Sequence, residues 1–297
     1  MDVRQLSYVV AVVDHGTFTA AAEASHVTQP TLSQGIAGLE RELGVELFHR
    51  VRRGVVLTAA GEALLGPARA AVGAIRVARE AVDAVKGLVT GRLDVVTLPT
   101  LAAWPTADVV GAFRRTYPGV TVSIAQGEDP AAAVEVLSSG TVELAFTELG
   151  RRDPGFAEVD IGTQSYAAVL PPGTRRRERV TIRALAAVAL VTTPPGTSTR
   201  SHLDEAFAAA GVEAEIAVET AQREAIVPLV VAGAGAALLP DTQAAQAAAA
   251  GAVVVPVVPA VSRRVGILHR RGRLGPASAA MVAVAAQRSR VGPARQH

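Results

Sequence analysis

Apolar positions near the N-terminus recur every three or four residues, as they do on one face of a helix. In the first helix these positions are Leu6, Val9, Val10 and Val13. Gly16 is expected to end this helix in a left-handed conformation, and Thr17 or Thr19 can cap a short alanine-rich second helix. After a turn at residues 25–27, Thr28 can cap a third helix whose apolar face is formed by Leu32, Ile36, Leu39 and Leu43. The pattern predicts three consecutive helices joined by short turns.

Two short apolar segments, residues 47–48 and 55–57, flank a basic stretch after the third helix. This pattern is typical of a β-hairpin with a basic tip, which is called a wing. Thr58 then caps a long helix that extends to about Lys86. Apolar residues in this helix are separated alternately by four and three positions, the spacing of a helix that pairs with another helix. The seam consists of Leu64, Ala68, Ala71, Ile75, Ala78, Val82 and Val85. We predict that it forms a dimer; packing of the stripe on its own domain is the alternative.

Beyond Gly91 the pattern changes to short β-branched runs that alternate with helical stretches. The runs lie at residues 93–98, 120–124, 142–146, 167–170, 188–191, 236–239, 253–257 and 265–268. The helical stretches lie at residues 106–116, 130–138, 200–210 and 223–232. This alternation predicts an α/β domain with a mostly parallel sheet.

Composition narrows the class of protein. A chain of 297 residues with 49% hydrophobic positions suggests about two domains of roughly 150 residues each. Cysteine is absent, which excludes disulfides and thiolate metal sites and suits a reducing cytosol. The N-terminus has no long apolar stretch of the signal-peptide type. The longest uncharged run of the apolar C-terminal half, between Glu224 and Asp241, is shorter than the ~20 residues of a membrane span, so we expect no membrane partner.

Charge by itself does not indicate nucleic-acid binding. The net charge is +2, and residues 1–90 contain nine basic and nine acidic side chains. Any contact with DNA must therefore depend on where individual charges are placed.

One N-terminal segment carries the ordered motifs of a known family. They are Phe18-Thr19-Ala20-Ala21-Ala22, Val27-Thr28-Gln29-Pro30-Thr31-Leu32-Ser33, Leu39-Glu40, Leu43-Gly44, Leu47-Phe48 and Leu57-Thr58-Ala59-Ala60-Gly61. In this order and spacing they resemble the N-terminal region of LysR-type transcriptional regulators. The resemblance implies an all-α winged helix-turn-helix DNA-binding domain at residues 1–58 and a coiled-coil linker helix for dimerisation at residues 59–90.

The third helix of such a domain enters the major groove of operator DNA. Its candidate DNA contacts are Thr28, Gln29, Pro30, Thr31, Ser33 and Gln34. Glutamine can bond both N6 and N7 of adenine. Arg50, Arg52 and Arg53 of the wing would meet the phosphate backbone or the minor groove. Simple solvent exposure of these side chains is the alternative. Two glycines in this helix, Gly35 and Gly38, depart from the family pattern. Each should destabilise the helix by about 1 kcal/mol relative to alanine, and together they leave open which bases are read.

Residues 91–297 resemble the family's effector-binding domain through three landmarks, at residues 113–120, 137–140 and 229–240. The resemblance implies a periplasmic-binding-protein-like (type II) fold of two α/β subdomains with a small-molecule effector between them. We place one subdomain at about 91–162 plus 267–297 and the other at 163–266.

Ligands of open α/β sheets lie beyond the carboxyl ends of the strands. The candidate effector contacts at such places are Thr100, Gln126, Gly127, Glu128, Thr147, Thr197, Ser198 and Thr220. For each threonine, capping of a helix is the alternative role. The carboxylates of Glu128, Asp129 and Glu148 would repel an anion, so we expect an effector that is neutral or carries an amine or several hydroxyls. The alternative is that Glu128 and Asp129 merely cap the following helix.

These features together predict a cytoplasmic, non-enzymatic, sequence-specific DNA-binding regulator. Its partners would be double-stranded operator DNA, a small-molecule effector and a second copy of itself. The family resemblance further implies that two dimers assemble into a tetramer. An activator would also contact RNA polymerase. We expect no cofactor, since the histidines show no metal-ligand spacing and the residues suggest no nucleophile–base–acid arrangement. Two alternatives remain: a solute-binding protein or small-molecule enzyme built on the C-terminal domain, and another winged-helix family with a different sensor.

Overall fold

The computed structural model describes residues 1–51, 54–85, 90–150, 153–175 and 177–289. Its N-terminal part contains three helices and a two-stranded hairpin. These are α1 (Val3–His15), α2 (Phe18–Ala24), α3 (Gln29–Leu43), β1 (Phe48–Arg50) and β2 (Val55–Leu57). They enclose one apolar core, in which Val9, Val12, Leu32 and Leu39 are fully buried.

Capping residues set the bounds of these helices. Asp2 and Gln5 form a capping box at the start of α1, with each backbone N–H 2.8 Å from the other side chain. Thr17 caps α2 and Thr28 caps α3. Gly16 and Gly44 end α1 and α3 in the left-handed conformation, with φ of 73° and 71°. The expected caps at Gly16 and Thr28 are therefore confirmed, and Thr17 rather than Thr19 caps α2.

A long helix, α4 (Ala59–Val85), follows the hairpin. The hydroxyl of Thr58 accepts a hydrogen bond from the backbone of Gly61 at 3.0 Å and donates one to the carbonyl of Glu46 at 2.7 Å. Thr58 thus caps α4 and ties its start to the chain that enters the wing.

The C-terminal part consists of two α/β halves. The first half contains β3 (Gly91–Thr97), α5 (Ala107–Thr116), β4 (Val120–Gln126), α6 (Pro130–Ser138), β5 (Leu144–Glu148), the start of β6 (Phe156–Leu170), β12 (Ser262–Arg270) and α11 (Pro276–Ser289). The second contains the end of β6, β7 (Val180–Thr181), α7 (Ile182–Ala186), β8 (Leu190–Thr192), α8 (Ser198–Ala209), β9 (Ile216–Glu219), α9 (Ile226–Val231), β10 (Ala237–Pro240), α10 (Asp241–Ala249) and β11 (Val253–Val258).

Strand β6 crosses from one half to the other. Residues 156–165 pair with β12, in a sheet ordered β4-β3-β5-β12-β6, and residues 166–170 lie between β10 and β11. The expected sheet was mostly parallel, and this is wrong. The pairs β3–β4, β3–β5, β7–β11 and β8–β9 are parallel, but every pairing of β6 and β12 is antiparallel. The chain crosses between the halves and returns along a neighbouring strand, and two such strands run in opposite directions.

The return crossing lies earlier than the sequence suggested. Strand β12 enters the first sheet at Ser262, where it pairs with Ser165, and continues to Arg270. Residues 262–266 therefore pair within the first half rather than the second, ahead of the expected boundary at 267.

A glycine allows the two crossing strands to pair closely. The register of β12 against β6 shifts between Val265 and Gly266. A methyl group on Gly266 would lie 2.1 Å from the carbonyl oxygen of Val159, which belongs to the opposing backbone. The strands would have to separate to admit any side chain there.

We expect Gly266→Ala to destabilise the C-terminal domain by about 2–4 kcal/mol, because overpacking against backbone cannot be relieved by a rotamer change. The measurement is the urea midpoint of that domain. Gly111→Ala is the control, since a methyl group there meets only the end of the Arg115 side chain at 3.7 Å and alanine favours a helix by about 1 kcal/mol. Equal midpoints for Gly266→Ala and the wild type would contradict the close approach.

Candidate DNA interface and effector cleft

The N-terminal end of α3 presents polar side chains to solvent. Thr28, Gln29, Pro30, Thr31 and Gln34 are exposed, whereas Leu32, Ile36 and Leu39 on the opposite face are buried. The hydroxyl of Thr28 accepts from the backbone of Thr31 at 3.4 Å. Ser33 is half-buried and lines a cavity of about 360 Å³ between α3 and β1. The candidate base-reading residues therefore occupy one exposed end of the helix, with Ser33 at its margin.

Gly35 has a packing role in this helix. A methyl group at this position would lie 2.8 Å from Cδ2 of Tyr8 on α1. The departure from the family pattern at this position thus allows α1 and α3 to approach each other closely.

The wing lies against the end of α1. Phe48 pairs with Leu57 and Arg50 with Val55, which confirms the predicted hairpin. Gly54 has a φ of 95°, and a methyl group on it would lie 2.8 Å from the carbonyl oxygen of Gly16. Arg50 is the last residue of β1, next to the tip of the hairpin. Arg52 and Arg53 lie outside the described residues.

Helix α4 is covered by its own domain at one end and exposed further along. Ala68 is fully buried (0% exposed) in the N-terminal core, and Leu64 and Ala71 pack against that core. Ile75 is 39% and Val82 61% exposed, and Ala78 is exposed as well. The expectation that Ala68 faces a second copy is therefore wrong, because α1 covers the first turns of α4. The side chain of Val85 lies outside the description.

Ion pairs fix α4 to both of its neighbours. Arg69 pairs with Asp14 of α1. Arg76 pairs with Glu143 of the first α/β half and donates to the carbonyl of Arg92 at 3.1 Å. Glu143 also accepts from the backbone of Asp94 at 2.9 Å. The helix is thus attached to the N-terminal domain and to the first α/β half by separate contacts.

Three of the candidate effector loops meet between the α/β halves. The backbone N–H of Ser198 in the second half donates to the carbonyl of Glu128 in the first half at 3.2 Å. The hydroxyls of Thr100 and Ser198 lie 3.4 Å apart, and both residues are buried. These contacts define a cleft between the halves, which is closed by direct hydrogen bonds.

A buried arginine lies at the base of this cleft. The side chain of Arg263 is 1% exposed. Its Nε and Nη2 donate to Oε1 of Gln164 at 3.1 and 2.7 Å, and Nη2 also donates to the hydroxyl of Thr100 at 2.5 Å. Gln164 in turn donates to the carbonyl of Thr100 at 2.8 Å. A buried charge requires such partners, so this network joins the crossing strands to the first cleft loop.

His202 on α8 extends the network into the second half. Its Nε2 lies 2.9 Å from Nη1 of Arg263 and 3.1 Å from Oε2 of Glu148. The Tyr166 ring lies 5.3 Å from the imidazole and 5.7 Å from the guanidinium carbon of Arg263. Burial raises the pKa of Tyr166 far above its ordinary value, so its phenol stays protonated.

Glu128 carries its charge into an ion pair across the cleft. Its Oε2 lies 2.5 Å from Nη2 of Arg223, and its Oε1 accepts from Gln126 at 2.6 Å. The hydrogen bond from Arg223, and then that from Gln126, lower the pKa of Glu128 below its usual value. Asp129, not Glu128, caps α6, through the backbone of Ala132 at 2.7 Å. The expectation of a neutral or cationic effector assumed uncompensated carboxylates and loses its basis, because Glu128 is paired with Arg223 and Glu148 lies beside His202.

Other candidate effector residues serve the local backbone. Thr197 caps α8, which is the alternative role expected for the threonines. The hydroxyl of Thr220 accepts from the backbone of Gln222 at 3.1 Å. Gly127 leaves room for α6, since a methyl group on it would lie 3.1 Å from the backbone of Ala133. Thr147 is buried and its hydroxyl has no partner in the described part of the chain. Contact of these residues with an effector stays a prediction.

Comparison with known proteins places the chain in a family. The family model described as a bacterial regulatory helix-turn-helix protein of the lysR family matches residues 3–62, and the LysR substrate binding domain matches residues 86–290. The second match alone spans more than half of the chain. The chain belongs to the LysR family.

Relatives of this LysR-family regulator are themselves regulators. The transcriptional regulator TfdT of Cupriavidus pinatubonensis is 36% identical over 199 residues, which cover 66% of this chain and 86% of TfdT. The dual regulator OxyR of Escherichia coli is 27% identical over 276 residues, or 92% of this chain and 90% of OxyR.

Solved structures match this fold over nearly the full length of the chain. A full-length OxyR variant from Pseudomonas aeruginosa has a TM-score of 0.80 at 24% identity, over 98% of this chain and 95% of that one. CbnR in complex with its target DNA has a TM-score of 0.68 at 28% identity, over 97% and 100%. The predicted family, fold class and function of a DNA-binding, effector-controlled transcriptional regulator rather than an enzyme are confirmed.

In the described ranges, no cluster of histidine, aspartate or glutamate has the geometry of a metal site. Within the same ranges, no helix combines the length and apolar character needed to cross a membrane.

Sequence reasoning missed Gln164, His202, Arg223 and Arg263. An arginine between Val261 and Val265 in an apolar strand was a usable signal, because a charge there must find buried partners. The other three gave no local signal, since their partners are distant in sequence.

Gln164→Met is expected to destabilise the C-terminal domain by about 3 kcal/mol, because it removes the one oxygen that accepts from both Nε and Nη2 of the buried Arg263 guanidinium. The loss would appear in urea unfolding. Gln246→Met, at an exposed position of α10, is the control and should change stability by less than about 0.5 kcal/mol. Similar small effects for both substitutions would show that Gln164 does not hold Arg263.

Proposed function

We propose that this regulator reads its operator with the exposed N-terminal end of α3, and that an effector in the cleft controls the arrangement of two DNA-binding domains. The observation that carries the proposal is the exposure of Gln29, Thr31 and Gln34 over a buried opposite face. Side chains at this end of a recognition helix contact base edges in helix-turn-helix proteins. CbnR, a relative of matching fold, has been solved with its target DNA, and this supports the same use of the domain here.

The proposed division of labour follows the chain. Residues 1–58 bind DNA, residues 59–90 form the linker helix, and residues 91–297 bind the effector. Two copies pair along α4 through the exposed part of the seam, Ile75, Ala78 and Val82. Two dimers then form a tetramer on an interrupted inverted repeat in the cytoplasm, and an activating form contacts RNA polymerase.

Control by the effector would be a shift between two arrangements that already exist. Strands β6 and β12 join the α/β halves, so the halves can change their relative orientation about these crossings. The Arg76–Glu143 pair attaches α4 to the first half. A change in the cleft would therefore reach the linker helix through the half that holds it.

A gel shift with the DNA upstream of the chain's own gene tests the proposal directly. A retarded complex that competes better with specific than with random DNA supports sequence-specific binding. Indifference to the competitor sequence would refute it.

Gln29→Ala should weaken operator binding by about 1–3 kcal/mol while leaving binding to random DNA unchanged, because the amide reads a base edge. Arg50→Ala should instead weaken both and make the salt slope shallower by about one unit, because it removes a phosphate contact. Gln246→Ala, far from the DNA-binding end, is the control. Unaltered operator affinity in Gln29→Ala would refute the assigned contact.

Ile75→Glu should convert dimers to monomers or aggregates, because it places an unpaired carboxylate in the proposed seam at a cost of several kcal/mol. Light scattering measures the mass in solution. Ala248→Glu adds the same charge at an exposed position of α10 and should keep the wild-type mass. A dimer of normal size in Ile75→Glu would place the interface elsewhere.

A further inference from the structure

Arg223 bridges the mouth of the cleft from the second half. It begins the turn between β9 and α9, and its side chain is 15% exposed. Its Nη2 lies 2.5 Å from Oε2 of Glu128, which belongs to the first half. One charge pair therefore spans the two halves beside the backbone bond from Ser198 to Glu128.

The ion pair with Glu128 uses only part of the hydrogen-bonding capacity of the Arg223 guanidinium. Its Nε is buried and has no hydrogen-bond partner among the described residues. Arginine binds a carboxylate best through two parallel N–H groups, whereas the structure records a bond from Nη2 to Glu128 and none from Nε. An unpaired buried donor on a charged group is costly, so an acceptor brought to Nε when Glu128 moves away would be stabilised there.

Glu128 is held in this position from its own side. Gln126 donates to its carboxylate at 2.6 Å, and its carbonyl accepts from Ser198. The capping of α6 is done by Asp129. The carboxylate of Glu128 therefore has no role in the helix that follows it, and its contacts point to Arg223.

We propose that Arg223 anchors an acidic group of the effector, and that Glu128 is an internal carboxylate that occupies Arg223 while the effector is absent. This inference rests on the proposed function of the cleft as the effector site. The effector class is an organic acid, because a free carboxylate can engage both Nη2 and Nε where Glu128 engages one.

The internal competitor sets the threshold of the response. Glu128 is about half exposed, and an ion pair with one exposed partner is weak, so an effector can displace it. Displacing Glu128 from Arg223 costs free energy, and this lowers the apparent affinity of the wild type for simple acids. Glu128 thereby acts as a specificity residue that rejects acids too weakly bound to replace it.

The test uses the full chain and succinate as the probe, with succinamide as its neutral isostere. Binding is followed by thermal shift and by the fluorescence of Trp104, the single tryptophan of the sequence, whose ring lies near Gly162 on β6. We expect Glu128→Gln to bind succinate about five- to tenfold more tightly than the wild type, because the competing charge is gone. The double variant Glu128→Gln with Arg223→Gln should lose this gain, and succinamide should not respond to either change.

Glu128→Thr is a second way to remove the competitor and should give the same gain if Glu128→Gln fails to fold. Asp108→Asn breaks an ion pair with Arg288 away from the cleft and should leave succinate binding as in the wild type. No gain in either Glu128 variant, or a gain that survives the loss of Arg223, overturns the inference.

Operator binding measured in parallel separates this inference from the proposed function. A gain in succinate binding without any effect of succinate on the operator complex upholds the role of Arg223 and refutes effector control through the cleft. Normal operator binding without a gain in succinate binding refutes the role of Arg223 alone.

Discussion

The antiparallel pairing of β6 with β12 is the constraint on which the C-terminal domain depends. β6 pairs with β12 in the first half and then with β10 and β11 in the second, so one continuous backbone belongs to both sheets. Gly162, with φ of 152°, lies on β6 within the paired stretch, opposite Val265. The two halves are therefore connected by strands that are themselves hydrogen-bonded, and any movement between the halves must bend this pair.

The cleft chemistry is built on the same two strands. Gln164 and Arg263 are directly opposite residues of the β6–β12 ladder, and their side chains form the buried network that reaches Thr100 and His202. The polar lining at the base of the cleft is therefore a consequence of the register between these two strands. A shift of the register by one residue would turn Arg263 to the other face of the sheet.

Local patterns predicted the N-terminal domain well because its elements depend on caps and helical periodicity. Thr28 and Thr58 each cap the start of a helix, and Gly44 ends one. The wing lies where two short apolar runs flank a basic stretch. The first part of β6 was not predicted, because exposed residues such as Glu158, Asp160 and Thr163 interrupt its apolar pattern. The contacts of Arg223 with Glu128 and of Arg263 with Gln164 join positions almost a hundred residues apart, and no local spacing encodes such a contact.

The attachment of α4 to the N-terminal domain and to the first α/β half has a geometrical consequence. Its 27 residues span about 40 Å at 1.5 Å per residue. Arg69 and the buried Ala68 fasten one part of the helix to the recognition domain, and Arg76 fastens the next part to the first α/β half. The two attachments are seven residues apart, about 10 Å along the helix axis, so a rotation of about 10° about one attachment moves the other by about 2 Å. A continuous stretch of helix between the attachments therefore couples the orientation of the first α/β half directly to that of the N-terminal domain.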